Sequence, residues 1–367
     1  MSDLSKISVV LPSLDPDEKL LETIDGLLRH GFDDIILIND GSKAENLHFF
    51  ETAAQSPCVH VLHHEVNRGK GAALKTAFTW FLANRPERLG VVTVDGDNQH
   101  HPEDTKACAL HLLETGKLTL GVRDFSLPHV PARSRFGNST TSLVFKIFVG
   151  MTISDTQTGL RAIGRKDLVL LNTVAGDRFE YETNMLLAFK EYGISFDEVK
   201  IRTVYIEENK SSHFHPIRDS WRIYKLIFAH FFKYTLSSLL SSVVDEGVYL
   251  LLNALLLPLA LGTWTLTAVS ATAARIISSL MNFYANHHLV FKSNVPVGKA
   301  MAKYFALAIP QFTAQLLLTY GVYALFDIPD HRTILRGIIY GAVMCVLFVA
   351  SFVIQKRWVF KNSRKDK

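Results

Sequence analysis

The chain has 367 residues, of which 48% are hydrophobic, and a net charge of +4. This length exceeds that of one ordinary domain, so two domains are expected. The charge decides nothing about nucleic acid, but no basic stripe interleaved with aromatic residues occurs in the first half, so no nucleic-acid partner is expected. Most charged residues lie in 1–230, whereas 231–360 is mostly Leu, Ala, Val, Phe and Ser.

Cysteine usage and the start of the chain bear on its compartment. Cys58, Cys108 and Cys345 are scattered and lack the spacing of a metal site, which favours a reducing compartment. The apolar run Ile7–Leu11 is too short for the core of a signal peptide. The first half is therefore expected to stay in the cytoplasm.

Strand and helix patterns alternate along the first half. Strands are predicted at 7–11, 34–39, 58–63, 90–95, 118–122 and 196–206. Helices are predicted at 17–29, 43–55, 67–82 and 103–114, with further helices around Arg135 and from Phe179. This alternation predicts a mostly parallel sheet with helices on both faces.

The stretch Val91–Pro102, VVTVDGDNQHHP, contains the strongest candidate for a site. If the chain stays extended after the apolar run, Asp95, Asp97 and Gln99 share one face and present three oxygen ligands. Oxygen ligands suit Mg²⁺ or Mn²⁺, which a carboxylate or two usually shares with substrate phosphates. The alternative is a plain turn, because Asp, Gly and Asn are turn residues.

Two further positions are candidates for contacts with a nucleotide. Asp40 ends the second predicted strand and could accept a hydrogen bond from a nucleobase or ribose, or could serve only the turn. Lys70 lies between two glycines that let the backbone approach a ligand. The surrounding NRGKG is not GxxxxGK[ST], and no GxGxxG follows a strand, so an ATPase or a dinucleotide enzyme is disfavoured.

Cations and turn residues follow the fifth predicted strand. Arg123 comes directly after it, and Arg135 and Ser139 lie one helical turn apart, where a guanidinium and a hydroxyl suit a phosphate. The alternative is a solvated basic helix start. The segment 155–161, DTQTGLR, is expected to be a loop that closes over the site, and the polar loop 208–215 could fold over bound phosphates.

Together these segments resemble family 2 glycosyltransferases of the GT-A fold, and within them the polyprenyl-phosphate sugar synthases, such as dolichyl-phosphate mannose synthases and bactoprenol glucosyltransferases. The resemblance covers about 7–224 and rests on the ordered motifs LPSLDP (11–16), NDGS (39–42), NRGKG (67–71), DGDNQHHP (95–102), GVRDFS (121–126), RSRFGNS (133–139) and DTQTGLRA (155–162). Relatives often have an aromatic residue and an acid in the first loop, where this chain has Leu14-Asp15-Pro16, which leaves the base of the donor open.

The resemblance implies roles for single residues. It implies metal binding by Asp95, Asp97 and Gln99, nucleotide contacts near Pro12 and Asp40, and phosphate contacts by Arg123, Arg135, Ser139 and Arg202. It also implies that one sugar passes from a GDP- or UDP-linked donor to a polyprenyl phosphate of undecaprenyl or dolichyl type, with inversion. An acceptor phosphate is already an oxyanion, so no strong general base is required.

The second half is expected to be an all-helical membrane domain. Four apolar spans lie near 232–256, 263–283, 304–326 and 335–356, each about the 20 residues that cross a hydrocarbon core. Lysines and arginines concentrate in the loop 292–303 and the tail 356–367, which predicts a multi-pass protein with both termini cytoplasmic. Residues 216–230 are expected to form an amphipathic helix in the headgroup layer, or else a core helix of the enzyme domain.

The membrane half contains an internal repeat with an offset of roughly 70 residues. Lys233-Tyr234 recurs as Lys303-Tyr304, and Leu289–Lys292 recurs in Trp358–Lys361. The region 231–362 resembles GtrA-like domains, a family proposed to help flip lipid-linked sugars. It is expected to flip the product, or to serve only as an anchor that holds a homo-oligomer together. The predicted boundaries are therefore 1–215 for the transferase, 216–230 for the interfacial helix and 231–362 for the membrane domain.

Ionisable residues also occur within the apolar spans. Asp245 and Glu246 fall within the first span and Arg275 within the second. Such groups are costly at membrane depth and are usually paired or functional. The hypothesis is that Asp245 pairs with Arg275 across the hairpin.

Overall fold

A computed structural model describes residues 3–128, 130–202, 216–259, 262–329 and 331–361. The chain divides into two compact units, Met1–Ile227 and Phe228–Lys367. The domain boundaries predicted above stay a prediction. The predicted loop 208–215 and the end of the basic tail lie outside the described residues.

The first unit is an α/β domain in which strands and helices alternate, as predicted. Its strands are β1 (Ile7–Ser13), β2 (Ile35–Asp40), β3 (Val59–His64), β4 (Gly90–Thr93), β5 (Leu118–Arg123), β6 (Arg161–Gly164) and β7 (Phe196–Ile201). Its helices are α1 (Lys19–Arg29), α2 (Leu47–Ala53), α3 (Lys70–Asn84), α4 (Pro102–Thr115), α5 (Ala132–Val144), α6 (Arg165–Leu171) and α7 (Glu180–Tyr192).

The seven strands form one mixed sheet in the order β3-β2-β1-β4-β6-β5-β7. All neighbouring pairs are parallel except those of β6, which runs antiparallel to both β4 and β5. The predicted mostly parallel sheet is therefore confirmed apart from β6, which the sequence patterns missed because its residues RAIG begin with an arginine and follow a run of turn residues. The last predicted strand, 196–206, is described as a strand only to Ile201.

The central strands β1, β2 and β4 are buried on both faces because helices cover both sides of the sheet. Val10 of β1 belongs to a core that includes Phe78 of α3, whereas its neighbours Val9 and Leu11 belong to a second core on the other face. Parallel strands all end at one edge, so the loops after β1, β2 and β4 meet there.

The second unit contains four long helices: α8 (Pro216–Leu256), which begins in the first unit, α9 (Thr263–Ala285), α10 (Val297–Leu325) and α11 (Thr333–Ile354). Among the described residues, three segments are long and apolar enough to cross a membrane, namely Phe231–Leu259, Val297–Leu325 and Thr333–Val359. The second predicted span, which corresponds to α9, is not one of these three segments; it contains Arg275 and several Ser and Thr residues. Residues 216–230 are helical within α8, but most of their side chains lie outside the description, so their amphipathic character stays a prediction.

Equivalent residues of the predicted repeat make equivalent contacts. The ring of Tyr234 lies 6.1 Å from that of Phe291, and the ring of Tyr304 lies 6.4 Å from that of Phe360. Phe291 and Phe360 stack on each other with ring centroids 5.1 Å apart. The two hairpins therefore place these repeated residues in equivalent aromatic pairs.

The predicted ion pair within the membrane half is present. Arg275 Nη2 lies 3.1 Å from Asp245 Oδ2, and the Ser278 hydroxyl donates to Asp245 Oδ1 at 2.8 Å. Asp245 therefore links α8 to α9 through charge and through a hydrogen bond.

Candidate active site

A cleft of about 430 Å³ lies beyond the carboxyl ends of β1, β2 and β4. It is lined by Pro12, Ser13, Leu14, Asp15, Pro16, Asp17, Lys19, Asp40, Asn67, Gly69, Lys70, Ala73, Asp95, Gly96, Asp97, Arg178 and Phe179. The lining therefore includes five residues predicted to bind a nucleotide-sugar or a metal: Pro12, Asp40, Lys70, Asp95 and Asp97.

Asp40 holds the loop that carries Lys70. Its carboxylate accepts hydrogen bonds from the backbone N–H groups of Arg68 (3.0 Å) and Gly69 (2.8 Å), and His64 Nδ1 lies 2.7 Å from it. Gly69 has a φ of +101°, and a Cβ there would lie 2.5 Å from the carbonyl oxygen of Asp177, so only glycine fits. Asp40 thus has a structural role, and its predicted contact with a base or ribose stays a prediction.

Lys70 lies between two carboxylates at the floor of the cleft. Its Nζ is 2.8 Å from Asp95 Oδ1 and 3.1 Å from Glu182 Oε1. Burial by itself would lower the pKa of Lys70, but the two carboxylates raise the pKa above its ordinary value, so the ammonium stays charged. Burial would likewise raise the pKa of Asp95, but Lys70 and His100 bring the pKa well below its usual range.

The chain after β4 is a turn, so the extended geometry predicted for Asp95, Asp97 and Gln99 is wrong. The strand ends at Thr93, and Asn98 has a left-handed φ of 58°. The backbone N–H of Gln99 donates to Asp97 Oδ1 at 3.1 Å, which closes the turn because an Asp side chain readily bonds to the backbone two residues on. Asp95 and Asp97 line the cleft, whereas Gln99 is not among the lining residues.

The two carboxylates are close enough to influence each other. Burial, followed by the charge of Asp95, raises the pKa of Asp97. A bound divalent cation would relieve that repulsion. No group of three His, Cys, Asp or Glu side chains that could hold a metal occurs in the described part of the chain. Two carboxylates that share a cation with a diphosphate remain a fitting donor set, since Mg²⁺ is commonly bound in this way.

The segment 155–161 was expected to close over the site, but it packs against Asp95 and contributes no residue to the lining of the cleft. Asp155, Thr158 and Leu160 are buried. The Thr93 hydroxyl donates to the Gly159 carbonyl at 2.6 Å, and a Cβ on Gly159 would lie 2.4 Å from Asp95 Oδ2. The missing side chain therefore makes room for the Asp95 carboxylate.

The arginines predicted to bind phosphate are engaged within the domain. Arg123 forms a two-pronged pair with buried Asp155, with Nε–Oδ2 at 2.7 Å and Nη2–Oδ1 at 3.1 Å. Arg135 donates to the carbonyls of Phe125 and Leu127, both at 3.0 Å. Arg135 is exposed, as is Ser139 one turn further along α5, so the predicted shared helix face is confirmed.

Arg202 follows β7 directly and contacts the start of α4. Its side chain pairs with Glu103, and its backbone N–H donates to Asp104 Oδ2 at 3.0 Å. Arg123, Arg135, Ser139 and Arg202 do not line the cleft in the part of the chain that the structure describes. Their predicted phosphate contacts stay predictions.

Several functional candidates were missed from the sequence. Glu182 binds Lys70, and Arg178 lines the cleft as an exposed cation. Arg161 is fully buried and donates to the carbonyls of Thr158 (3.0 Å) and Glu182 (2.9 Å), which ties β6 to α7. The available signal was the charged start of α7 after Gly176, but nothing in the pattern places α7 next to α3.

Comparisons with known proteins match both halves of the chain to described families. The family model described as "Glycosyl transferase family 2" matches residues 8–169, and the model described as "GtrA/DPMS, transmembrane domain" matches residues 226–360. An uncharacterised protein of Methanocaldococcus jannaschii is 28% identical over 62% of this chain and 93% of its own length.

Two relatives with named activities each match more than half of this chain. A UDP-N-acetylglucosamine–dolichyl-phosphate N-acetylglucosaminyltransferase of Methanococcus voltae is 25% identical over 55% of this chain and 86% of its own length. An undecaprenyl-phosphate mannosyltransferase of Micrococcus luteus is 26% identical over 56% and 86%. Among solved structures, glucosyl-3-phosphoglycerate synthase from Mycobacterium tuberculosis is 18% identical over 61% of this chain and 79% of its own, with a TM-score of 0.46.

Proposed function

The chain is a membrane-associated glycosyltransferase, built from a family 2 domain of the GT-A fold and a GtrA/DPMS transmembrane domain, and we propose that it transfers a single sugar from a nucleotide-sugar to a polyprenyl phosphate. The observation that carries this proposal is the cleft in which Asp95, Asp97 and Lys70 meet at the carboxyl ends of parallel strands. The acceptor class is supported by the names of the two relatives that use dolichyl phosphate and undecaprenyl phosphate.

The residues of the cleft fit the demands of a diphosphate leaving group. Asp95 and Asp97 would hold Mg²⁺ or Mn²⁺, and the cation would offset the charge that develops on the departing nucleoside diphosphate. Lys70 and Arg178 supply further positive charge in the same lining. The glycines on either side of Lys70 were expected to let the donor approach the backbone, but they make room for the start of α7: a Cβ on Gly71 would lie 2.5 Å from that of Tyr181.

The acceptor phosphate needs positioning more than activation. Its oxygen is already negatively charged, so it can attack the anomeric carbon in one displacement, which inverts that centre. Arg135 and Ser139 are exposed on one face of α5 and are proposed to orient the acceptor phosphate. Arg123 and Arg202 are proposed to contact phosphate only after they loosen from Asp155 and Glu103.

The test is transfer of label from radioactive nucleotide-sugars into extractable lipid by the full chain in liposomes with polyprenyl phosphate and Mn²⁺ or Mg²⁺. We expect Asp97→Ala to reduce transfer at least about 100-fold, as expected for loss of charge stabilisation in a transition state. Asp25→Ala is the matched control, because Asp25 is an exposed acid on α1 that pairs only locally with Arg29. No transfer from any donor, or equal transfer by both variants, would refute the proposal.

Arg123→Ala is a poor test of phosphate binding, because its loss leaves Asp155 buried without its cation. Arg135→Ala and Ser139→Ala remove exposed side chains and are better suited. We expect both to raise the KM for polyprenyl phosphate while leaving the KM for the nucleotide-sugar unchanged.

We also propose that α8–α11 all cross the membrane, with both termini and the transferase domain cytoplasmic. The support is the lysine-rich loop 292–303 and the basic tail. The cytoplasmic location is tested by adding a membrane-impermeant thiol reagent to right-side-out vesicles that carry a single cysteine at Lys299. Labelling there without permeabilisation would contradict this orientation.

A second candidate function is translocation of the lipid-linked sugar, which the two-fold repeat of hairpins favours. The inactive Asp97→Ala chain keeps its membrane half, so it separates the two activities. If it speeds the movement of added lipid-linked sugar across liposomes, translocation is supported. A rate equal to that of protein-free liposomes would leave the membrane half as an anchor.

A further inference from the structure

Two carboxylates lie at the middle of the apolar part of helix α8, and a guanidinium of α9 lies beside one of them. Asp245 is midway between Phe231 and Leu259, the ends of a candidate membrane span, and Glu246 follows it. Arg275 on α9 lies 3.1 Å from Asp245, so it shares the same depth. About 20 Å of helix separates this cluster from either end of the span, at 1.5 Å per residue. A charge at that depth costs about 3 kcal/mol on insertion scales.

The cluster is open on its outer side. The Arg275 side chain is 76% exposed, and Glu246 is exposed with no partner for its carboxylate among the described side chains. On the helix surface Glu246 lies between Val243 and Leu250, which are 70% and 57% exposed. Two ionic groups are therefore turned towards lipid in a single copy of the chain.

The exposed face of α8 has the spacing of a helix–helix seam. Its outward residues recur at alternating intervals of four and three: Phe232, Leu236, Leu239, Val243, Glu246 and Leu250. That interval matches the 3.5-residue period at which two helices pack along their length. One polar residue in such a seam sets the register of the pair.

The charges of this face favour a second copy of the chain as the occupant. Two carboxylates and one guanidinium give the cluster a net negative charge, which would repel a phosphate-bearing lipid. A guanidinium has five N–H donors, so Arg275 can serve Asp245 and one more carboxylate. Because the same face also offers Glu246 as an acceptor, two copies related by a two-fold axis can each satisfy the other.

Only the first of the two repeated hairpins carries this charged face in the described part of the chain. Gly247-Val248-Tyr249 recurs as Gly321-Val322-Tyr323, so Thr319 and Tyr320 stand where the first hairpin has its two acids. Each copy therefore has one such charged face, which closes as a dimer and does not propagate.

We propose that the chain forms a two-fold dimer in the membrane through the α8 face, in which Glu246 of each copy accepts hydrogen bonds from Arg275 of the other. In neutral phosphatidylcholine liposomes, dye-labelled full chain is expected to bleach in two steps at low protein-to-lipid ratios. Glu246→Leu should require at least about tenfold more protein per lipid to associate, which corresponds to the loss of about 1.4 kcal/mol.

Val243→Leu is the matched control, since it lies in the same seam one turn away and should associate like the wild type. Glu246→Leu removes a charge from an apolar span, so insertion is eased and misfolding does not explain a loss. A wild type that stays monomeric at every ratio, or Glu246→Leu that associates as the wild type does, overturns the proposal. Association that follows added anionic phospholipid and ignores Glu246→Leu overturns it in favour of a lipid occupant.

Discussion

Two clusters in this chain have the same ionic composition, two carboxylates and one cation, in different surroundings. In the cleft, Lys70 lies between Asp95 and Glu182 and lines a polar cavity. In the membrane half, Arg275 lies beside Asp245, with Glu246 adjacent, in the middle of an apolar span. Because water and ions reach the cleft, its cation can exchange partners. In lipid the partner has to be protein.

The difference extends to what each cluster is proposed to do. In the cleft, a divalent ion can take the place of the Lys70 ammonium beside Asp95, and the ammonium can then contact the diphosphate. The membrane cluster lacks such a competitor, so its unmet donors and acceptors point to a second copy. If the surroundings and not the ionic composition cause this difference, the two clusters should respond differently to the substitutions and the salt described below.

The largest effect is expected from Arg275→Leu. Removing the guanidinium leaves Asp245 without its cation in an apolar environment, which should lower the free energy of unfolding by about 3 kcal/mol. The double variant Asp245→Leu/Arg275→Leu should recover most of that loss, since a buried pair replaced by apolar groups is often neutral. Unfolding of the full chain in mixed detergent micelles measures both. Equal stability of Arg275→Leu and the wild type would mean that Asp245 does not need a protein cation in the membrane half.

A smaller effect is expected in the cleft. Lys70→Met removes the ammonium 2.8 Å from Asp95, so a divalent cation no longer competes with it. In the absence of donor, Mn²⁺ should bind about tenfold more tightly, as measured by the paramagnetic resonance of free Mn²⁺.

Lys75→Met is the control for that measurement. Lys75 lies on the same helix and pairs with Asp177, but it does not line the cleft. An unchanged Mn²⁺ affinity in Lys70→Met would mean that the ammonium and the cation occupy separate positions. Failure of the wild type to bind Mn²⁺ at all would instead refute the metal proposal.

The smallest effect is expected from salt. Raising ionic strength from 0.1 to 1 M shortens the screening length from about 10 Å to about 3 Å in water. Mn²⁺ affinity should therefore fall by a few-fold, roughly two to five, whereas dimerisation in liposomes should change less than about twofold. Titrations at the two KCl concentrations test this, and equal sensitivity of both clusters would remove the distinction.

Some features followed from local pattern alone. Apolar runs and turn residues predicted six of the seven strands, because a strand buried on both faces needs a continuous apolar run. The repeat near 70 residues predicted two equivalent hairpins, and the cost of charge in lipid predicted the Asp245–Arg275 pair. In each case the requirement, burial of apolar residues or pairing of charges in lipid, concerns residues that are close in sequence or that share one depth in the membrane.

Other features depend on where distant segments meet. The sequence around Glu182 does not indicate a contact with Lys70, since 112 residues separate the two. Their side chains pair only because α7 packs against α3. Arg123 looks like a free cation in the sequence, but the buried antiparallel strand β6 brings Asp155 against it. Asp95 and Asp97 were predictable as carboxylates after a strand, whereas their turn depends on side-chain bonds to the backbone.

The order of apolar and polar residues determined the helices and strands and the side chains available to the site, because each residue is buried or exposed individually. The tertiary structure decided which charges neutralise one another, because Coulomb energy depends on distance in space.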